Sequence, residues 1–548
     1  MADAAPVLLR GGDALMPLQR LALHVLALSG WRRYLWAFLL GALAAAALPP
    51  VDMTPVLLIS FGGLVWLADG SRDGRQAFAL GWSFGAGFFM AGLYWIGVAL
   101  TVDWRQFWWL MPFAELALPA ALGIFTGVAL TASDYAARSL RLSGTSRIIM
   151  LAFCWSVLEY VRGNVLTGFP WNLVGYAWSG GFPGGLAVLQ AGSVFGVYGL
   201  SFLTVLAAAL PARLGAASGA RAAPALAALA IIAALAGFGA WRLHANPRQD
   251  VPNVTLRLVQ PSIPQSLIND PQTRVVDFRR TLGLTLSPGF DAIAAVIWPE
   301  NAGPPFIDRD DDARLALARA APAGGVVISG TVRGNPPPAP LAQFWNSLAV
   351  LDPRGDILAT YDKHHLVPFG EYVPLRGVLP INKITPGTVD FSAGGGPATL
   401  NVPGLPPFSP LICYEAIFPE AAVDPTRRPA WLLNITNDAW YGFTSGPFQH
   451  LAIARLRAVE QGLPLARDGN NGVSAMIDPL GRVVARLGLD DVGVLDVPLP
   501  QPLPPTPYAR FGDQAYLALL LLGLATAALV TPIERNSRRS KGKPGLLE

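Results

Sequence analysis

Apolar positions follow two rhythms along this chain. From 31 to 244 they form unbroken stretches approaching the roughly 20 residues a helix needs to cross a bilayer. Candidate spans fall at 34–48, closed by Pro49-Pro50, and at 54–68, 77–101, 107–131, 146–161, 187–210 and 222–241, with an eighth at 515–532; the first two are short. From 250 to 505 the runs shorten, alternate with polar positions and are divided by turn residues. Strands are predicted at 254–259, 294–298, 325–332, 346–351, 357–361, 410–412, 431–435, 473–477 and 482–487, and helices at 311–320 and 448–462. Asp352-Pro353-Arg354-Gly355 and Asp478-Pro479-Leu480-Gly481 supply hairpin turns. Strands alternating with helices and hairpins predict an α/β sandwich. Residues 454–460 read as a solvated amphipathic face, and 498–507 as a proline-rich connector back to the membrane.

Composition supports the division. Hydrophobic residues make up 52% and charged residues 14%, against about 25% charged in ordinary soluble domains. The net charge of +4 is modest and the arginines are scattered, so no basic face suits nucleic acid. Arg10, Arg20, Arg32 and Arg33 precede the first span, as in an uncleaved signal anchor. Basic residues then recur in alternate loops, at Arg72, Arg75, Arg138, Arg141, Arg147, Arg213 and Arg221, and in the tail from Arg535 to Lys543. The loops between hold Arg105 and Arg162. The positive-inside rule therefore puts both termini in the cytoplasm. Residues 1–246 are expected to form a membrane domain of seven transmembrane helices, 250–505 an extracytoplasmic catalytic domain, and 506–548 a last transmembrane helix with a basic cytoplasmic tail. In a bacterium this is a multi-pass protein of the inner membrane with a periplasmic domain.

Glu115 and Glu159 fall in or beside spans, where a carboxylate marks a polar cavity or headgroup site, or else pairs with a neighbour such as Arg162 or sits at the interface. Residues 167–171, Thr-Gly-Phe-Pro-Trp, suit an interfacial or re-entrant loop, and Trp104, Phe107, Trp108 and Trp109 an interfacial belt.

Chemistry concentrates after the short strands. Pro410-Leu411-Ile412-Cys413-Tyr414-Glu415 delivers a thiol to the start of a turn. The other cysteine, Cys154, lies in an apolar span, so Cys413 is expected to be free. Glu300 in Trp298-Pro299-Glu300 and Lys363 in Tyr361-Asp362-Lys363 also follow apolar strands, where α/β folds gather catalytic groups. A carboxylate can accept the thiol proton, an ammonium favours thiolate and oxyanion, and the thiolate attacks a carbonyl carbon. Taken singly, Glu300 also reads as a helix N-cap, Lys363 as a surface charge and Cys413 as core. His364 and His365 suggest a metal or Cys-His site, but the five histidines are dispersed and no i, i+4 pair forms a ligand face. Packing or hydrogen bonding is the expected role for them and for His450.

With these residues in hand the chain resembles the nitrilase superfamily, and more narrowly its membrane-embedded, lipoprotein-acylating branch. The resemblance rests on Val259-Gln260, the run from Ile263 to Leu267, Trp298-Pro299-Glu300, Asn346-Ser347-Leu348, Lys363 with His365 through Glu371, Cys413-Tyr414-Glu415 and the run from Asn437 to Gly442. Residues 167–171, 199–203 and 506–510 match outside any soluble nitrilase. It implies an α-β-β-α nitrilase-like sandwich beside an eight-span helical bundle, with Glu300 as base, Lys363 as oxyanion and orienting residue and Cys413 as nucleophile. Glu371, Tyr414, Glu415, Asn346 and Trp440 are implied as supporting or substrate-binding residues. The implied activity moves a fatty acyl chain from a phospholipid, through a cysteine thioester, to the N-terminal amine of diacylglyceryl-cysteine apolipoproteins, with no cofactor or metal. Phosphatidylethanolamine is the implied donor, other membrane lipids surround the chain, and a monomer is expected. The family often carries tryptophan near position 269, where this chain has Asn269, which bears on the substrate-facing wall. A membrane-tethered amidase or nitrilase-type hydrolase shares the triad but passes the acyl group to water. A transporter or a scaffold leaves the three strand-end residues without a role.

Overall fold

The computed structural model describes residues 17–541 apart from 143, 217–221, 269–271, 336–338, 340, 377, 379–382 and 386–388. Asn269, Arg10, Arg221 and Lys543 therefore lie outside the described residues. The chain divides into two units: one comprises 1–94, 110–242 and 511–548, the other 95–109 and 243–510.

In the first unit every predicted span contains a helix: Trp31–Ala45, Val56–Asp69, Gly74–Leu93, Leu118–Ser139, Thr145–Asn164, Gly192–Ala209, Ala222–Ala245 and Gln514–Lys541. Among the described residues four helical stretches are long and apolar enough to cross a membrane, Trp104–Ser139, Gly192–Gly215, Ala222–Ala245 and Gln514–Glu534. Where water exclusion cannot drive association between helices, small residues let backbones approach. Gly41 and Gly87 do this reciprocally: a Cβ on Gly41 would lie 1.9 Å from the Phe84 carbonyl oxygen, and one on Gly87 2.0 Å from that of Phe38.

Glu159 is buried and Glu115 is exposed. The Glu159 carboxylate accepts from the Val174 N–H at 3.0 Å and the Trp155 indole at 3.1 Å. One turn on, the Arg162 guanidinium donates to the carbonyls of Phe169 at 2.6 Å and Trp171 at 2.7 Å. The pair thus satisfies the non-helical backbone around 167–174, which has no helical partners of its own. Trp104, Trp108 and Trp109 are exposed and Phe107 is buried.

The second unit holds two sheets. The first is formed by β1 (Asp250–Gln260), β2 (Ala295–Trp298), β3 (Val326–Gly334), β4 (Phe344–Leu351), β5 (Ile357–Asp362) and a last strand, Gly493–Pro500. The second contains β6 (Phe408–Ile412), β7 (Trp431–Thr436), β8 (Leu465–Gly469), β9 (Ala475–Ile477) and β10 (Val483–Arg486); Gly493–Pro500 is then β11. Their orders are β11-β1-β2-β3-β4-β5 and β10-β9-β8-β7-β6, with β1-β2-β3 and β6-β7-β8 parallel. Leu258, Ile297, Ile328 and Val350 of one sheet share a buried cluster with Ile412, Leu433, Ala466 and Met476 of the other. Alternate residues on the outer faces pack against helices: Val296, Val327 and Trp298 with Leu282 and Leu317, and Leu411 and Leu432 with Ala454 and Ala458. The layers therefore run α-β-β-α.

Two local expectations are corrected, and one strand was not predicted. The helix Gly446–Gln461 is buried, not solvated, over 454–460, because Arg457 turns inward with Glu460 as its partner at 3.0 Å. β8 carries no apolar signature in Leu-Ala-Arg-Asp-Gly yet is fully buried, since Arg467 and Asp468 find partners inside. β11 extends into the expected connector; it is an edge strand, where a proline missing its N–H is tolerated.

Arg257 on β1 is fully buried and ties the first sheet together. It donates to both oxygens of Asp496 on β11, at 2.7 and 2.6 Å, and to the carbonyls of Thr285, Ser287 and Pro288 after the helix Arg274–Thr285. Arg257→Ala leaves those acceptors without their donor, and because Asp496 is partly exposed and can rehydrate, the expected cost is about 1.5–3 kcal/mol. The check is the thermal denaturation midpoint of the detergent-solubilised protein, which falls well below wild type.

Candidate active site

The hairpin between β4 and β5 sets the first part of the site. Asp352 closes its turn by accepting from the N–H groups of Arg354 and Asp356, and Gly355 takes φ 86° there. The register this imposes pairs Ser347 with Asp362, and the Lys363 N–H donates to the Asn346 carbonyl at 2.8 Å. Asn346 and Lys363 thus leave the sheet side by side. Glu300 arrives from the end of β2, two residues past Trp298.

Four buried polar groups meet at this point. Lys363 Nζ lies 3.0 Å from both oxygens of Glu371 and 3.6 Å from Glu300 Oε1. The Asn346 amide donates to Glu300 Oε1 at 2.7 Å and to Glu371 Oε1 at 2.8 Å, so one NH2 group bridges the two carboxylates. Glu300 Oε2 accepts from the Asn437 N–H at 2.9 Å, where β7 ends. The Glu300 carboxylate is therefore held from both sheets.

Cys413 comes from β6, at the first residue of a short turn of helix, Cys413–Ile417. Its φ of 50° is left-handed, a conformation a side-chain-bearing residue adopts only when its surroundings enforce it. Glu415 supplies part of that enforcement. Its carboxylate accepts from the N–H groups of Ile412 and His364, each at 2.7 Å, and from the Tyr361 hydroxyl at 2.9 Å, linking the Cys413 turn to the Lys363 loop. Despite burial, which raises it, the bond from His364 brings the Glu415 carboxyl below its ordinary range. Tyr414 is buried edge-on to His365 and Phe418.

Electrostatics connect the sulfur to the other two groups. Burial, reinforced by the Glu300 carboxylate and opposed by Lys363, pushes the Cys413 thiol up to about 12. Burial also raises Glu300 above the usual carboxylate range, against the pull of Lys363. Lys363 stays fully protonated: burial works against its charge, but Glu371, then Glu300 and Cys413, more than offset it. The resting pocket thus pairs a neutral thiol with a carboxylate more basic than usual, beside a fixed cation.

The structure brings together Glu300, Lys363, Cys413, Glu371, Asn346 and Glu415, with Tyr414 next to the sulfur-bearing residue. Trp440 sits half-buried on the turn Asp438–Tyr441, and among the described residues no hydrogen bond links it to the others. Asn437 belongs to this cluster through its backbone, which no side-chain pattern announces; the motif from Asn437 to Gly442 marked the place without the role. A cavity of roughly 620 Å³, walled by Phe278, Phe306, Phe344 and Phe391, reaches the cluster at Glu300. Among the described residues no group of three or more His, Cys, Asp or Glu side chains is arranged to hold a metal ion.

The two-sheet sandwich that carries this buried carboxylate, ammonium and thiol is a carbon-nitrogen hydrolase domain: the Carbon-nitrogen hydrolase family model matches residues 292–503. The Apolipoprotein N-acyltransferase N-terminal domain model matches residues 40–210. The apolipoprotein N-acyltransferase of Rhodopseudomonas palustris is 42% identical over 527 residues, covering 92% of this chain and 96% of its own. That of Brucella suis is 40% identical over 534 residues, covering 93% and 97%. A solved amidase from Nesterenkonia sp. aligns with TM-score 0.35 and 20% identity over 50% of this chain and 98% of its own. The chain belongs to the apolipoprotein N-acyltransferase family, within the nitrilase superfamily.

The thiol's environment has a measurable signature. Alkylation of Cys413 by iodoacetamide is expected to keep accelerating above about pH 10, where an ordinary thiol of pKa about 8.5 has levelled off. In Glu300→Gln the neighbouring negative charge is gone, so the rise is expected at lower pH. Mass spectrometry of the Cys413 peptide across a pH series reads both.

Proposed function

We propose that this chain transfers a fatty acyl group from a phospholipid to the N-terminal amine of a diacylglyceryl-cysteine apolipoprotein, through a thioester on Cys413. The observation that carries the reading is the convergence of Glu300, Lys363 and Cys413 in one buried cluster, in a chain more than 40% identical to named apolipoprotein N-acyltransferases over nearly its full length. Eight spans hold it in a bacterial inner membrane. Seven precede a catalytic domain in the periplasm, with domain limits near 1–246, 250–505 and 506–548 and both termini cytoplasmic.

In the first half-reaction Glu300 accepts the Cys413 proton as the sulfur attacks the ester carbonyl of the donor, phosphatidylethanolamine. Lys363 and the Tyr414 backbone N–H stabilise the oxyanion. The carbon–oxygen bond breaks, Glu300 returns the proton to the departing lysophospholipid oxygen, and the acyl group stays on sulfur. In the second, the apolipoprotein amine attacks the thioester, its proton passes to Glu300, and the carbon–sulfur bond breaks to leave the amide. Glu300 then reprotonates the sulfur. Glu371 keeps Lys363 charged and placed, and Asn346 aligns both carboxylates. The raised basicity of Glu300 suits a base facing a weakly acidic thiol, and the attraction of Lys363 for developing negative charge offsets the unfavourable resting proton transfer. Both substrates are lipid-anchored, so membrane helices keep the enzyme in the plane where they diffuse.

Intact mass spectrometry of the purified protein after incubation with phosphatidylethanolamine micelles is expected to find one acyl adduct on Cys413, discharged by a diacylglyceryl-cysteine peptide to give the N-acyl peptide. Cys413→Ala forms neither adduct nor product, and Glu300→Gln forms no adduct. N-acylation by Cys413→Ala overturns the nucleophile assignment. Free fatty acid released at the same rate with and without peptide shows a hydrolase instead.

A further inference from the structure

A second buried network lies on the other side of the nucleophile's backbone, and the chemistry above does not use it. His450, on the helix Gly446–Gln461, places Nε2 3.1 Å from the Cys413 carbonyl oxygen. Its Nδ1 lies 3.1 Å from Arg467 Nη2 and 3.0 Å from Asp438 Oδ1. Arg467 also donates to Asp438 Oδ2 at 2.6 Å, and the Thr436 hydroxyl donates to Asp438 Oδ1 at 2.9 Å. His450, Arg467 and Asp438 are all fully buried.

These contacts assign the ring's proton. Burial works against charge on Asp438, yet Arg467 and the Thr436 hydroxyl hold its carboxyl well below the ordinary range, so it is an acceptor. Burial, reinforced by Arg467, lowers His450, so the ring is neutral and carries one proton. With that proton on Nε2, the ring donates to the Cys413 carbonyl while Nδ1 accepts from Arg467. The opposite tautomer sets a bare Nε2 lone pair against the carbonyl oxygen. Only the Nε2–H form makes the Cys413 contact a hydrogen bond; Asp438 Oδ1, which then faces the bare Nδ1, accepts from the Thr436 hydroxyl instead.

The carbonyl so held belongs to the peptide joining Cys413 to Tyr414. A trans peptide is planar, so anchoring its oxygen toward His450 directs the Tyr414 N–H the opposite way. We propose that His450, with its tautomer set by the Arg467 donor at one ring nitrogen and the Cys413 carbonyl at the other, is a positioning residue that locks the Cys413–Tyr414 peptide so that the Tyr414 N–H faces the oxyanion. This rests on Cys413 as the nucleophile. Asp438, His450 and Arg467 come from a strand end, a helix and β8, and all three meet behind a single peptide.

The test compares His450→Leu and His450→Gln with wild type, using the full-length protein in detergent and phosphatidylethanolamine micelles as donor. Two rates are read: acyl-adduct formation on Cys413, and alkylation of Cys413 by iodoacetamide, which needs a reactive sulfur but no oxyanion donor. His450→Leu is expected to slow adduct formation by about 10²-fold, as for loss of one oxyanion donor. The slowing appears in kcat rather than in donor KM, and alkylation stays within a few-fold. His450→Gln, which retains an Nε2–H, is expected to recover at least about tenfold of that loss. Adduct formation at the wild-type rate in His450→Leu overturns the proposal. So does an equal loss of alkylation, or a Gln variant as impaired as Leu, since either marks general damage to the fold. If wild type itself forms no Cys413 adduct, the nucleophile assignment fails first, and separately.

Discussion

The arrangement depends on one buried cation. Lys363 sits with its ammonium against the Glu371 carboxylate and within 3.6 Å of Glu300, all three nearly out of contact with water. Taking an ion out of water costs several kcal/mol even after relaxation, so no one of these groups is stable there without the others. Two carboxylates share one ammonium, and the Asn346 NH2 bridges them where they would otherwise repel. The positions of β2, β4, β5 and the 363–371 loop are thereby interlocked by charge as well as by packing.

That cation also sets the character of the sulfur. Burial and Glu300 keep the thiol protonated at rest, while Lys363 pulls the other way. A thiol guarded this way differs from the exposed, low-pKa cysteines of redox proteins. The left-handed backbone at Cys413 belongs to the same design: Glu415 holds it on one side and His450 on the other, and each draws its partners from distant segments.

The membrane unit solves a different problem by related means. Its helices meet through glycines because side-chain burial against lipid supplies little drive. Where the backbone leaves the helical path around 167–174, Arg162 and Glu159 supply the missing donors and acceptors.

How much of this was legible in the sequence follows from what local patterns can sense. Periodicity reports which side of an element meets water, so the helical segments, most strands and the α/β layering came directly from it. Glu300, Lys363 and Cys413 stood out because each follows an apolar strand, and residues past strand ends project into a shared crevice. Periodicity failed where a charge goes inward with its partner. Arg467 and Asp468 hid β8, and Arg457 with Glu460 made a buried helix look solvated. The tertiary structure alone decided that Glu371 shares Lys363 with Glu300, that Asn437 grips Glu300 through its backbone, and that His450 holds the Cys413 carbonyl. A buried charge or a strained peptide is stabilised by groups from remote parts of the chain, and until the chain folds those groups share no neighbourhood.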